Sequence, residues 1–178
     1  MAAFYRKDPM PRQEPPDNLS LDNPLWQYVL TLWRHDGFAY QCLEAQNQGL
    51  AVTPLLVALF CAARDRQAPQ TEPEGIHQWR TDVTADLRAL RMNLPRGNDT
   101  TAPLRDTVKQ AELKAEQVEL AWWWQRLVDD GSVTQSGLSR TALARHNLGS
   151  LLPGLDPATA ASLVELWGEI KEANGEPS

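Results

Sequence analysis

Apolar residues return every three or four positions through most of the chain, and each such run is bounded by helix start and stop residues. Leu25, Val29, Leu32 and Trp33 form the first stripe, over 24–34. Asn23-Pro24 opens it, with a capping side chain ahead of a proline at the first helical position. Phe38, Cys42 and Ala45 predict a second helix over 37–47, closed by Gly49. Thr53-Pro54 repeats the opening device for a third helix over 54–66. Its residues Leu55, Leu56, Val57, Leu59, Phe60 and Cys61 leave no polar face, so this helix belongs at the centre. A fourth helix over 75–93 carries Ile76, Trp79, Val83, Leu87, Leu90 and Leu94 as its stripe. The fifth and longest runs over 102–129 until DDGS stops it. Two weaker helices follow at 138–149 and 157–173, the second opened by Asp156-Pro157. Alternating β-branched runs closed by hairpin dipeptides are missing, and Asp36-Gly37 and Asp130-Gly131 join helical patterns.

This pattern predicts an all-α fold, an irregular bundle of five main helices with a C-terminal helical pair docked on it. Residues 1–21 hold Pro9, Pro11, Pro15 and Pro16 and read as a flexible arm. The core domain is then 22–130, and 131–178 is a C-terminal extension with a frayed end. That extension would dock through Leu138, Leu143, Leu148, Leu163, Leu166 and Trp167.

The fifth helix contains AWWWQR, residues 121–126, and three successive helical residues cannot share one face. Leu104, Val108, Ala111, Ala115, Val118 and Trp122 fall on one stripe, its expected core face. Leu113, Leu120, Trp124 and Leu127 fall on nearly the opposite side. Trp123 lies between, near Glu112, Glu116 and Glu119, on a flank expected to be wet. The second stripe needs a cover: the C-terminal pair (the preferred reading), a partner protein, or a bound apolar molecule.

Charge and composition narrow the partners. A net charge of −6, with 17 basic residues scattered among 23 acidic ones, argues against a nucleic-acid footprint. The start lacks a signal-peptide apolar run, and Leu55–Ala63 is too short to span a bilayer, so the expected location is the cytoplasm. Cys42 and Cys61 sit among apolar neighbours and read as buried free thiols. No nucleophile elbow, P-loop, dinucleotide fingerprint or zinc helix is present, and His35, His77 and His146 each stand alone. No metal and no cofactor is therefore expected. Asp82/Asp86 and Glu112/Glu116 are carboxylate pairs at helical spacing that could hold Mg²⁺. Interleaved Arg80, Arg88, Lys109 and Lys114 make solvated helix faces the preferred reading. Arg88, Arg91, Arg96 and Arg105 form the densest basic cluster, beside the start of the fifth helix. They are a candidate anion site, with pairing to Asp99 and Asp106 the plainer alternative.

The words LWQYVLTLWRHDGFAYQCLEAQNQGLAVTPLLVALFCA (Leu25–Ala62), then IHQWR and DLRALRMNL, resemble a family of mostly helical proteobacterial proteins of unknown function. The matching features are the aromatic first helix, Cys42-Leu43 with Gln46, Gly49-Leu50, and Leu55-Leu56. His35-Asp36-Gly37 departs from the family's Pro-Gly turn. The resemblance covers 22–95 well, 96–130 loosely and the remainder hardly at all. It implies a helical cytoplasmic bacterial protein, and it assigns no catalytic residues; Gln46 and Arg91 are the polar residues to probe within it.

Absent catalytic constellations and abundant tryptophan favour a non-enzymatic interaction protein with a protein partner. Its face would be Leu113, Leu120, Trp123, Trp124 and Leu127. The alternative is a helical pocket for an apolar or prenyl-type molecule with an anionic head held by the arginines. A third is a helical enzyme whose site assembles from residues remote in sequence.

Overall fold

The structure is a computed structural model describing residues 13–131 and 137–173, with side chains to residue 170. Among these residues there is no β-strand. The helices are α1 (Pro24–Trp33), α2 (Asp36–Asn47), α3 (Val52–Ala63), α4 (Glu74–Trp79), α5 (Ala85–Asn93), α6 (Ala102–Asp130), α7 (Arg140–Leu151) and α8 (Pro157–Ala173). A π-helical turn, Arg80–Thr84, fuses α4 to α5. The five main helices and the C-terminal pair expected from the pattern are therefore all present. None of the described helices is long and apolar enough to cross a membrane.

The start signals act as read at two of three sites. Asn23 Oδ1 accepts from Trp26 N–H at 2.9 Å, and Asp156 Oδ2 accepts from Thr159 N–H at 3.0 Å. Thr53 does not cap. The helix starts two residues earlier, at Val52, and the buried Thr53 hydroxyl donates to Glu119 on α6 instead.

Every residue of α3 from Val52 to Ala62 is buried, which makes it the central helix. Each large side chain on it contributes about 1.5–3 kcal/mol by leaving water. Cys42 and Cys61 are free and buried, and burial pushes their thiols up to about 12 and about 11. α7 packs along α3, and α8 packs on α2 and α7. Asn147, fully buried on α7, ties this docking down. It accepts from Ala68 N–H at 2.9 Å and donates to the carbonyls of Ala58 and Arg66 at 3.2 and 3.0 Å.

α6 lies against α1, α3 and the α4–α5 helix. Trp122 closes the core as expected, directly beneath Gly75 at the start of α4. A Cβ on Gly75 would stand 2.7–2.8 Å from the Trp122 ring, so only glycine lets the two helices approach this closely. The cover of the second stripe differs from expectation. Leu120 is buried beside α1 and α3 and Leu127 beside the end of α3, while the C-terminal pair docks on α3 through α7 and on α2 through α8. Trp123, placed on a wet flank by its acidic neighbours, is 0% exposed and among the largest fully buried side chains. The arm, too, is partly laid down. Gln13 N–H reaches Gln78 Oε1, Leu19 packs on the core, and Gln117 Nε2 donates to the Leu21 carbonyl.

Candidate functional site: an amphipathic cleft with an arginine–glutamate seam

Uniform periodicity directs Ile76, Trp79, Val83, Leu87, Leu90 and Leu94 of the fourth helix at the core. Ile76 is fully buried and Trp79 Nε1 donates to the Ala115 carbonyl at 3.0 Å, but Leu90 is 50% exposed. The π turn is the reason. Ala85 N–H bonds to the Arg80 carbonyl, five residues back, which inserts one residue into the helical count. Beyond it the inward face slips by one position, about 100°. Thr84, Arg88 and Arg91 meet α6 where uniform periodicity places Val83, Leu87 and Leu90.

A ladder of ion pairs follows. Arg80 donates through Nε to Glu119 Oε1 at 2.8 Å and also holds Glu72. Arg88 donates to Glu112 at 2.8 Å and to Glu116 Oε1 at 2.7 Å. Arg91 clasps Glu112 with Nε and Nη2. Gln46 of α2 joins the group when its amide oxygen faces Arg88, accepting from Nη1 and Nη2 at 3.0 Å. The glutamates expected on solvated faces are thus an interhelical seam, with Glu112 buried and Glu119 at 0% exposure.

Their titration diverges along the seam. Burial opposes ionisation of Glu112, but hydrogen bonds from Arg91 and Arg88 overcome it and hold its carboxyl below the usual range. Burial pushes Glu116 up to about 7, with Arg88 opposing and Glu112 and Glu119 adding to the rise. Burial also raises Glu119, outweighing Arg80 and the Thr53 hydroxyl. Arg80 stays firmly charged: burial works against its proton, and Glu119 and Glu72 more than restore it.

This seam forms the polar end of a cleft of about 510 Å³ between α1, α2, α3 and α6. The apolar walls include Trp26, Leu30 and Trp33 of α1, Leu43 of α2, Leu56 of α3, and Leu113 and Leu120 of α6. Arg91, Lys109, Glu112, Glu116, Gln46 and Thr53 supply the polar groups. The volume is that of an ordinary small-molecule site.

The residues proposed from sequence are thereby divided. Leu113 and Leu120 line the cleft. Trp124 and Leu127 line a smaller hollow of about 250 Å³ with Phe60, Cys61 and Arg64. Trp124 meets Phe60 edge-on at 5.9 Å, and Trp123 lies wholly inside. Leu120, Trp123 and Leu127 are therefore covered by the chain itself, leaving Leu113 exposed and Trp124 half-buried. The four arginines do not converge. Arg91 reaches the cleft and Arg88 lies behind it, while Arg96 is exposed in the turn and Arg105 lies at the start of α6. No pairing to Asp99 or Asp106 forms among the described residues. Sequence patterning alone does not bring Arg80, Glu119, Thr53 and Lys109 together as a group. Arg80, Arg88 and Arg91 facing Glu119, Glu116 and Glu112 in antiparallel order was the available signal, hidden by the one-residue slip. Among the described residues no group of three His, Cys, Asp or Glu side chains could hold a metal ion.

A family model described as "Protein of unknown function (DUF2390)" matches residues 24–122. The chain belongs to this family. Every residue lining the cleft, from Trp26 to Leu120, lies within the matched span, and α7 and α8 lie outside it. No curated protein and no solved structure matches the chain.

Proposed function

We propose that the chain is a cytoplasmic binding protein for a small amphipathic molecule with an apolar body and an anionic head. The observation that carries this reading is the origin of the cleft's walls. Leu30, Trp33, Leu43 and Leu113 come from three helices, are each more than one-third exposed, and gather around one cavity. Large apolar side chains left in water cost stability unless something covers them. The head is assigned its sign by Lys109, an exposed ammonium with no ion-pair partner among the described residues, which lines the cleft together with Arg91.

The interaction-protein reading has less to stand on, because only Leu113 and Trp124 of its five face residues can be reached without unfolding.

Decanoate and decanol test the proposal, by calorimetry or by the fluorescence of Trp26 and Trp33. Both should bind, decanoate more tightly. Lys109→Met should weaken decanoate about tenfold and leave decanol nearly unchanged. Leu43→Arg should abolish both. Failure of the folded wild type to bind either compound overturns the proposal.

A further inference from the structure

Two seam carboxylates keep an oxygen that the arginines leave unused, Glu116 and the buried Glu119, and only Glu116 lines the cleft. Glu116 Oε1 accepts from Arg88, whereas Oε2 has no hydrogen-bond partner among the described residues, and the side chain lines the cleft. Glu112, one turn earlier, spends both oxygens on Arg88 and Arg91. Glu119, one turn later, is sealed from solvent with Thr53 and Arg80. Glu116 is thus the seam carboxyl that an occupant of the cleft can touch.

We propose, on the reading of the cleft as a site for anionic amphiphiles, that Glu116 is its head-group contact and takes up a proton on binding. In the occupied cleft the Glu116 carboxyl carries a proton on Oε2 and donates it as a hydrogen bond to the anion. The proton comes from solvent, so one ligand anion and one proton enter together.

The surrounding charges support the exchange. From α5, Arg88 and Arg91 face Glu116; from its own helix, Glu112 and Glu119 do so, and Lys109 lines the same cleft two turns earlier. Arg80 of the π turn and Glu72 of the preceding loop lie deeper, around Glu119. Gln46 of α2 and Thr53 of α3 add polar but uncharged groups, and α1 presents only Trp26, Val29, Leu30 and Trp33. Four cations oppose four carboxylates, so the seam is neutral only when every carboxylate is ionised. Burial opposes that state at Glu116, and displacement of water by an apolar ligand opposes it further. An anion beside Glu116 acts in the same direction, because like charges in a shared site favour protonation of one.

Calorimetry of decanoate binding to the full chain, in buffers of different ionisation enthalpy, measures the proton directly. Close to one proton should be taken up per ligand at about pH 8. The affinity should be flat below about pH 7 and fall about tenfold per unit above it. Glu116→Gln supplies a permanent neutral donor, and Arg88 retains Glu112 and Gln46 as partners. Its affinity should be independent of pH, without proton uptake, and about tenfold or more above wild type at about pH 9. Decanol, which displaces water but brings no charge, should show a shallower slope than decanoate in wild type and none in the variant. Decanoate binding without proton uptake, or an unchanged slope in the variant, overturns the role of Glu116 while leaving the cleft reading intact. No binding of either compound to wild type overturns both.

Discussion

Arg80 provides the sharpest test of the seam. Its Nε lies 2.8 Å from Glu119 Oε1, and its Nη2 lies 2.7 Å from the same oxygen and also meets Glu72. Glu119 is wholly buried and Arg80 nearly so. Arg80→Met leaves that carboxylate with the Thr53 hydroxyl alone, and stranding one member of a buried pair costs about 3–5 kcal/mol. In a domain of this size the melting temperature should fall by roughly 10 °C. The deficit should depend on pH with a definite sign. Burial already raises Glu119, so removing Arg80 raises it further, and protonation relieves the stranded charge. Stability tied to a raised carboxyl is present below its unfolded value and lost as pH rises through its folded value. Urea unfolding followed by tryptophan fluorescence should therefore show a larger loss at about pH 8 than at about pH 5. Arg80→Met with Glu119→Gln replaces the stranded charge by an amide and should reduce the loss to about 1–2 kcal/mol. A single-mutant loss below about 1 kcal/mol, or a double mutant no more stable than the single, would refute the assignment of the pair as a buried dependency.

Three further outcomes follow from the packing and the titrations. Gly75→Ala should cost about 1–3 kcal/mol by driving a methyl into the Trp122 ring. The cost should shrink when Trp122→Phe withdraws the clashing edge, a non-additivity that a double-mutant cycle measures. Asn147→Leu leaves the Ala68 N–H and the carbonyls of Ala58 and Arg66 without their side-chain partner. It should cost about 3 kcal/mol and expose α7 amides to faster hydrogen exchange than α6 amides. Glu116, raised to about 7, should make the free protein lose roughly 3 kcal/mol as pH climbs from about 4.5 to above 7. Glu116→Gln should flatten that limb of a stability–pH curve. Glu112, held low, acts in the opposite sense, with stability lost as pH falls through the acid range below about 4.5.

Helix positions and the centrality of α3 were legible because they rest on local signals. Caps, prolines and three-to-four periodicity report on neighbours in sequence. Leu55 through Cys61 could only be central, since no solvated face was available to them. The α6 environments were less legible, because a residue's burial depends on what lies across from it. Trp123 is dry although Glu119, one turn before it, is a carboxylate, because that carboxylate is itself buried and paired with Arg80. Periodicity alone reads that glutamate as water-facing. Thr53 shows the same limitation in miniature. A threonine before a proline is a good cap, but a buried Glu119 facing it was a better partner. The cleft's walls were partly visible, with Leu113 and Leu120 marked as an unusual second stripe. Of their opposing residues, Val29 and Trp33 fall on the first helix's inward stripe, while Trp26, Leu30 and Leu43 lie off the stripes of α1 and α2.

The π turn means that the α4–α5 helix encodes two seams, one residue out of phase. Val83, Leu87 and Leu90 would make an oily contact with α6; Thr84, Arg88 and Arg91 make the ionic one. Rewinding the same residues as a uniform α-helix would exchange them, whereas deleting one residue between Arg80 and Thr84 would remove the wide turn and keep Thr84, Arg88 and Arg91 on α6. Apolar replacements of buried ion pairs often match or exceed their stability. The ionic phase is therefore not what cohesion alone would select, and what it does supply is the charged end of the cleft. A wall that can discriminate a ligand's head thus depends, for this sequence, on one wide turn in the winding of a neighbouring helix.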